Sequence, residues 1–271
     1  MSIIIFAPDI QIYRGSRQIT KAMFPEELRK ELPPESIASL GKLLTLEPEA
    51  VNPLVAIRQR VYRTLAAAGT PYFGGFGVGP KLAPRIAEKL AELKKEFLDE
   101  KTKLLSSYNA KLQGMVLANP KWGQYISDLA GTSTDVESAT SFRVLKYKAE
   151  IVELPGDNDA EIEARGLPAK IAGEADSVLR DFLTECLGKE KVTQRGLKVL
   201  RQVSEKLADL CFLDGSLVPR ATMFANMVEA MPLSGPLSGG ELEHLKRNVR
   251  AMLGEQVEEG QASLFEEELV I

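Results

Sequence analysis

Residues 81–118 carry Leu82, Ile86, Leu90, Leu93, Phe97, Leu104, Tyr108, Leu112 and Met115, an apolar side chain every three or four positions. That spacing predicts one unbroken helix with a single apolar stripe, and the stripe weakens only around Glu100 and Lys101. At 1.5 Å per residue such a rod is about 55 Å long. Glu88, Glu92, Lys94, Lys95 and Glu96 coat its outer face, as on a solvated helix. A rod of this length packs into an elongated hairpin or coiled-coil-like bundle more readily than into a compact enzyme core. Asn119-Pro120 ends it, and Trp122, Tyr125, Ile126 and Leu129 follow at the spacing of a short helix.

The flanking segments are arranged around that rod. Pro33-Pro34 opens a helix expected over 35–46, with Ile37, Leu40, Leu43 and Leu44 on one face. Asn52-Pro53 supplies a cap and a first-turn proline for a helix through Ala68, closed by Gly69. Ile10, Ile12 and, after a turn, Ile19 suggest a strand. Phe142, Val144, Tyr147, Ala149 and Ile151 alternate with charged residues as a second strand with one change of register, and the first is its natural partner. Pro155-Gly156-Asp157-Asn158-Asp159 is the clearest polar break. Beyond it, helices are expected over 169–187, 194–213, 218–230 and 239–257. The expected fold is therefore mainly α: an elongated helical bundle with long coiled-coil-like helices and a small antiparallel β pair. Its divisions are 1–155, 156–258 and an acidic tail, 259–271.

A net charge of −4 supplies no global basic field, so any link to nucleic acid would run through a protein partner. Cys186 and Cys211 sit at helical apolar positions without metal-ligand spacing, as reduced core residues of a cytoplasmic protein. The apolar start, Ile3 to Phe6, is too short for a signal peptide and lacks a basic flank. No stretch is long enough to span a bilayer.

The chain carries no sharp catalytic signature. His244 is the single histidine, and no elbow or zinc-binding motif accompanies it. Asp157, Asn158, Asp159 and Glu161 lack the glycine and the terminal glutamate of a calcium loop. We therefore expect no enzyme, no cofactor and no metal. Residues 70–80, a glycine-rich stretch, hold Tyr72, Phe73, Phe76 and Val78 but lack the Gly-Lys-Ser/Thr ending of a phosphate loop. Two readings stay open for them: an apolar tip that contacts a partner, or a tight interhelical connection whose aromatics cap the core. Arg58, Arg60 and Arg63, with Tyr62, form a modest basic face able to meet phosphate or an acidic surface.

The sharpest motif lies in the tail. Gln261-Ala262-Ser263-Leu264-Phe265 sets an apolar pair among glutamates, where no core of its own surrounds it. The string resembles the peptide by which bacterial DNA-processing proteins dock on the replicative sliding clamp. On that resemblance Gln261 would bond the pocket rim, and Leu264 and Phe265 would fill the cleft. The alternative is a last turn that folds back onto the body.

The order of several features resembles the family known as domain of unknown function 3150, found in bacteria, phages and mobile elements. These features are Asp9-Ile-Gln-Ile-Tyr-Arg-Gly15, Leu32-Pro-Pro-Glu-Ser-Ile-Ala-Ser-Leu-Gly41, Asn52-Pro53 opening an Arg-rich helix, Tyr72-Phe73-Gly74-Gly75, the long helix, Ala118-Asn-Pro-Lys-Trp122 and Ser141-Phe-Arg-Val144. The resemblance carries no catalytic residues. It implies a companion of MoxR-type AAA+ ATPases and von Willebrand A proteins on mobile genetic elements. The expected function is then an adaptor in such an assembly, linked to DNA processing, with its tail on a clamp. Two rivals are a membrane-active, pore-like helical protein using residues 72–78 as a tongue, and a structural component that self-assembles into homo-oligomers.

Overall fold

The computed structural model describes residues 2–18, 20, 41–150, 158–186 and 188–255. The strands are β1 (Ser2–Gln11), β2 (Ser16–Gln18), β3 (Lys42–Leu44), β4 (Gly69–Tyr72), β5 (Gly75–Val78), β6 (Ser141–Glu150), β7 (Lys191–Val192) and β8 (Leu237–Ser238). The helices are α1 (Asn52–Ala68), α2 (Ala83–Ala118), α3 (Gly123–Leu129), α4 (Ser133–Ser138), α5 (Asn158–Cys186), α6 (Gln194–Leu210), α7 (Leu217–Glu229) and α8 (Gly239–Met252). The expected long helix is present as the 36 residues of α2.

The expectation of a helical bundle with a single β pair is corrected. Four strands form one sheet in the order β4-β5-β1-β6, and β2-β3 and β7-β8 make two small antiparallel pairs. The fold is mixed α and β. The N-terminal strand lies earlier than expected from Ile10, Ile12 and Ile19, at Ser2–Gln11, and it neighbours β6 in the larger sheet.

The additional strands come from the glycine-rich stretch, which connects α1 to α2 as a hairpin. Gly69 to Tyr72 pair antiparallel with Val78 to Gly75. Phe73 and Gly74, at φ 42° and 72°, make the two-residue turn. Positive φ at both central positions matches the twist of a tight hairpin, and glycine adopts it without steric cost. The helix expected over 35–46 is corrected over its end, where Lys42–Leu44 is a strand pairing with Ser16–Gln18. Residues 35–40 lie outside the described residues, as does the boundary read at 155. The helix expected from 169 starts earlier, at Asn158, and runs through Pro168. A proline there removes one backbone donor without ending the helix.

The chain divides into two compact units. One comprises Met1–Phe6, Leu65–Pro84 and Tyr147–Ile271. Its core joins Ile3 and Ile5 of β1 to the apolar faces of α5, α6, α7 and α8, with Leu179, Leu197, Leu200, Leu210, Phe224 and Val249 fully buried. These positions follow the 3.6-residue period, which gives each helix one stripe to bury.

The other unit comprises Ala7–Thr64 and Arg85–Lys146. Phe97 of α2 packs its ring 5.4 Å from that of Phe142, and Tyr108 meets Tyr13 edge-on at 6.2 Å. The Tyr108 hydroxyl donates to the Gly131 carbonyl at 2.7 Å, and Tyr13 shares a hydrogen bond with Thr45.

Burial, followed by the neighbouring Tyr13 hydroxyl, pushes the Tyr108 phenol above its ordinary value of 10.0. Above pH 10 the unfolded chain therefore loses this proton while the folded chain keeps it, and stability falls as pH rises. The slope from this group is at most about 1.4 kcal/mol per pH unit. Urea unfolding at pH 9 and pH 11 should show that loss in the native chain and a smaller one in Tyr108→Phe. An equal loss in both would assign the alkaline effect elsewhere.

Candidate partner-docking groove

Helix α6 turns its Leu197, Leu200, Leu207 and Leu210 stripe into the core. Val199, Val203 and Lys206 recur at i, i+4 and i+7 on its flank, a second and shallower line. On α5, Glu174 and Val178 stand about one turn apart on the same side, beside the core residues Ile171 and Ala175. Between these flanks, with Ala66 and Ala67 from the end of α1 and Gly69 and Pro71 of β4, lies a groove of about 460 Å³. Its walls are mostly Ala, Gly, Pro and Val. It is open at the rim, where Val199 is 45% exposed and Ala66 and Ser177 are exposed.

The groove has one charged end. Lys206 is only 8% exposed, and its Nζ lies 2.5 Å from Glu174 Oε2. The buried Thr70 hydroxyl donates to the same oxygen at 3.2 Å. A buried cation requires such a partner, since desolvation of a lone ammonium is costly. Lys170 Nζ donates to the Pro71 carbonyl at 2.9 Å. That bond and the missing proline N–H leave the outer edge of β4 poorly suited to accept another strand.

The residues singled out in the sequence differ in exposure. Of the hairpin side chains, Tyr72 (3% exposed) and Val78 (0%) are buried, Phe76 is half-buried and Phe73 (51%) is exposed. The Tyr147 hydroxyl donates to the Phe73 carbonyl at 3.4 Å. On α1, Arg60 and Arg63 are exposed and Arg58 is half-buried, and Arg60 makes an ion pair with Glu96. Gln261, Leu264 and Phe265 lie outside the described residues. His244 is exposed and contacts Asn248. Among the described residues no group of three or more His, Cys, Asp or Glu could hold a metal ion. Cys186 and Cys211 are free thiols, and burial pushes Cys186 above its ordinary value. Among the described residues no helix is long and apolar enough to cross a membrane.

Sequence reasoning missed the groove. Its polar end unites residues 32 positions apart, on different helices. The visible signal was the second line on α6, where a lysine stands beside valines.

Fold and groove together define a mixed α and β protein whose helices frame an open apolar trough ending in a buried ion pair. The chain belongs to the family described as "Protein of unknown function (DUF3150)", whose model matches residues 1–253. No curated protein and no solved structure matches it.

Proposed function

We propose that this protein is a non-enzymatic adaptor that holds other proteins together. The observation that carries this reading is the open groove, whose small apolar walls suit the side chains of another chain. The family resemblance suggests the setting: a cytoplasmic assembly of a MoxR-type AAA+ ATPase and a von Willebrand A protein on a mobile element or phage, linked to DNA processing. The tail adds a second contact. Gln261 would bond a pocket rim on a sliding clamp, with Leu264 and Phe265 as anchors.

The full-length protein, fluorescently labelled, is titrated with bacterial sliding clamp and followed by anisotropy. Saturable binding at roughly micromolar concentration is expected, weakened about tenfold or more in Leu264→Ala/Phe265→Ala. Equal binding by both proteins, or none, would remove the clamp from the reading. An unchanged urea-unfolding midpoint in the double variant makes the comparison specific to the tail contact.

A further inference from the structure

The polar end of the groove has capacity that the described residues do not use. Lys206 has three N–H donors, and Glu174 is the acceptor it meets. Thr70 and Lys206 both bond Glu174 Oε2, which leaves Oε1 available on a side chain that is one-third exposed. The pair therefore offers a donor and an acceptor next to one another, with its net charge already cancelled. A carboxylate would meet Glu174 unfavourably, and an ammonium would meet Lys206 unfavourably. A carboxamide has the complementary arrangement: its C=O accepts from Lys206 and its N–H donates to Glu174.

The walls determine what carries that amide. Ala66 and Ala67 are small enough to let a helix backbone approach closely, and Val178, Val199 and Val203 give it an apolar bed. An extended peptide is disfavoured, because Pro71 lacks an N–H and its carbonyl is bonded by Lys170. We propose that the groove docks an apolar helix of a partner protein that presents one Asn or Gln side chain to the Lys206–Glu174 pair. This inference rests on the adaptor reading and names what its body recognises. It is independent of the clamp contact.

The test is selection of helical peptides on the full-length protein. The peptides are about 16 residues long, roughly 24 Å, and randomised along one face. Enriched sequences are expected to share a small or aliphatic stripe and an Asn or Gln at a fixed position. Their affinity should fall about tenfold or more in Lys206→Met. Val199→Lys, at a position exposed enough to leave folding intact, should abolish binding by blocking the rim. Replacing the selected amide by Glu or Leu should weaken binding similarly. No enrichment, sequences without the amide, or binding indifferent to both variants would overturn the proposal. Enrichment seen only on a chain ending at Glu255 would overturn it as well, because the chain's own tail would then be the occupant. Clamp binding lost in the tail variant with peptide binding kept, or the reverse, tells failure of one contact from failure of the other.

Discussion

Asp209→Ala is expected to destabilise the protein by about 3 kcal/mol, since it leaves two backbone donors without their charged acceptor in a buried place. Asp209 is 4% exposed. Its Oδ1 accepts from the Lys81 N–H at 3.0 Å and its Oδ2 from the Leu82 N–H at 3.1 Å. Those amides stand just before α2, at the end where a helix exposes donors and attracts negative charge. The carboxylate therefore fixes where a 36-residue helix begins. Gly79 belongs to the same arrangement: a Cβ there would lie 2.3 Å from the Asp209 carboxyl carbon and 2.5 Å from its carbonyl oxygen. Gly79→Ala should therefore destabilise too, because backbone must move to admit the methyl. Urea denaturation of Asp209→Ala, Asp209→Asn and Gly79→Ala tests the arrangement. Asparagine should retain part of the stability, because its amide oxygen can still accept one bond. A loss below about 1 kcal/mol in Asp209→Ala would mean that water reaches these amides and replaces the carboxylate.

Phe224→Ala should cost about 3–5 kcal/mol, the range for deleting a fully buried aromatic side chain. Phe224 is 0% exposed on α7, in the core that also holds Leu197 and Leu200 of α6 and Val249 of α8. The penalty combines lost transfer energy with a cavity that packed neighbours fill only in part. Thermal melting would register it as a drop of roughly 6–20 °C, taking 2–4 °C per kcal/mol. Phe224→Leu, which keeps most of the volume, should lose much less. Similar losses for both variants would point to a specific ring contact in place of volume.

The helices were legible because each buries one face. The stripe from Leu82 to Met115 and the line Leu197, Leu200, Val203, Leu207 and Leu210 both announce a 3.6-residue period, and α2 and α6 follow it, with Val203 only half-buried. The hairpin was not legible. Its strands carry Gly69, Gly75 and Gly77 where a strand pattern expects β-branched or aromatic side chains. Gly77 is small because a Cβ would lie 2.6 Å from Ile3 Cδ1, a constraint imposed by β1, distant in sequence. Leu43 and Leu44 fit a helical stripe as well as a strand. Pairing with Arg17 and Ser16 decides between the two, and sequence spacing does not encode it. The two-residue strands β7 and β8 are too short for any periodic signal. The groove was hidden for a related reason: Glu174 and Lys206 each read as an ordinary helix-surface charge until α5 and α6 are placed side by side. Neither Asp209 nor the loop amides that it holds stand out in the sequence, because Lys81 and Leu82 lie about 128 positions away from it.

The strand order has a consequence for biosynthesis. β1 lies between β5 and β6 in the sheet, yet it leaves the ribosome first. Its hydrogen-bonding partners at Phe76 to Val78 emerge some seventy positions later, and β6 ends at Glu150. At translation speeds of about 5–20 residues per second, Ile3, Ile5 and Phe6 wait several seconds or longer before both neighbours exist. During that interval the nascent chain exposes a sticky β-forming segment of the kind that chaperones capture. An acidic or proline-containing leader fused to Met1 should therefore reduce the soluble yield lost to aggregation without altering the stability of the folded product.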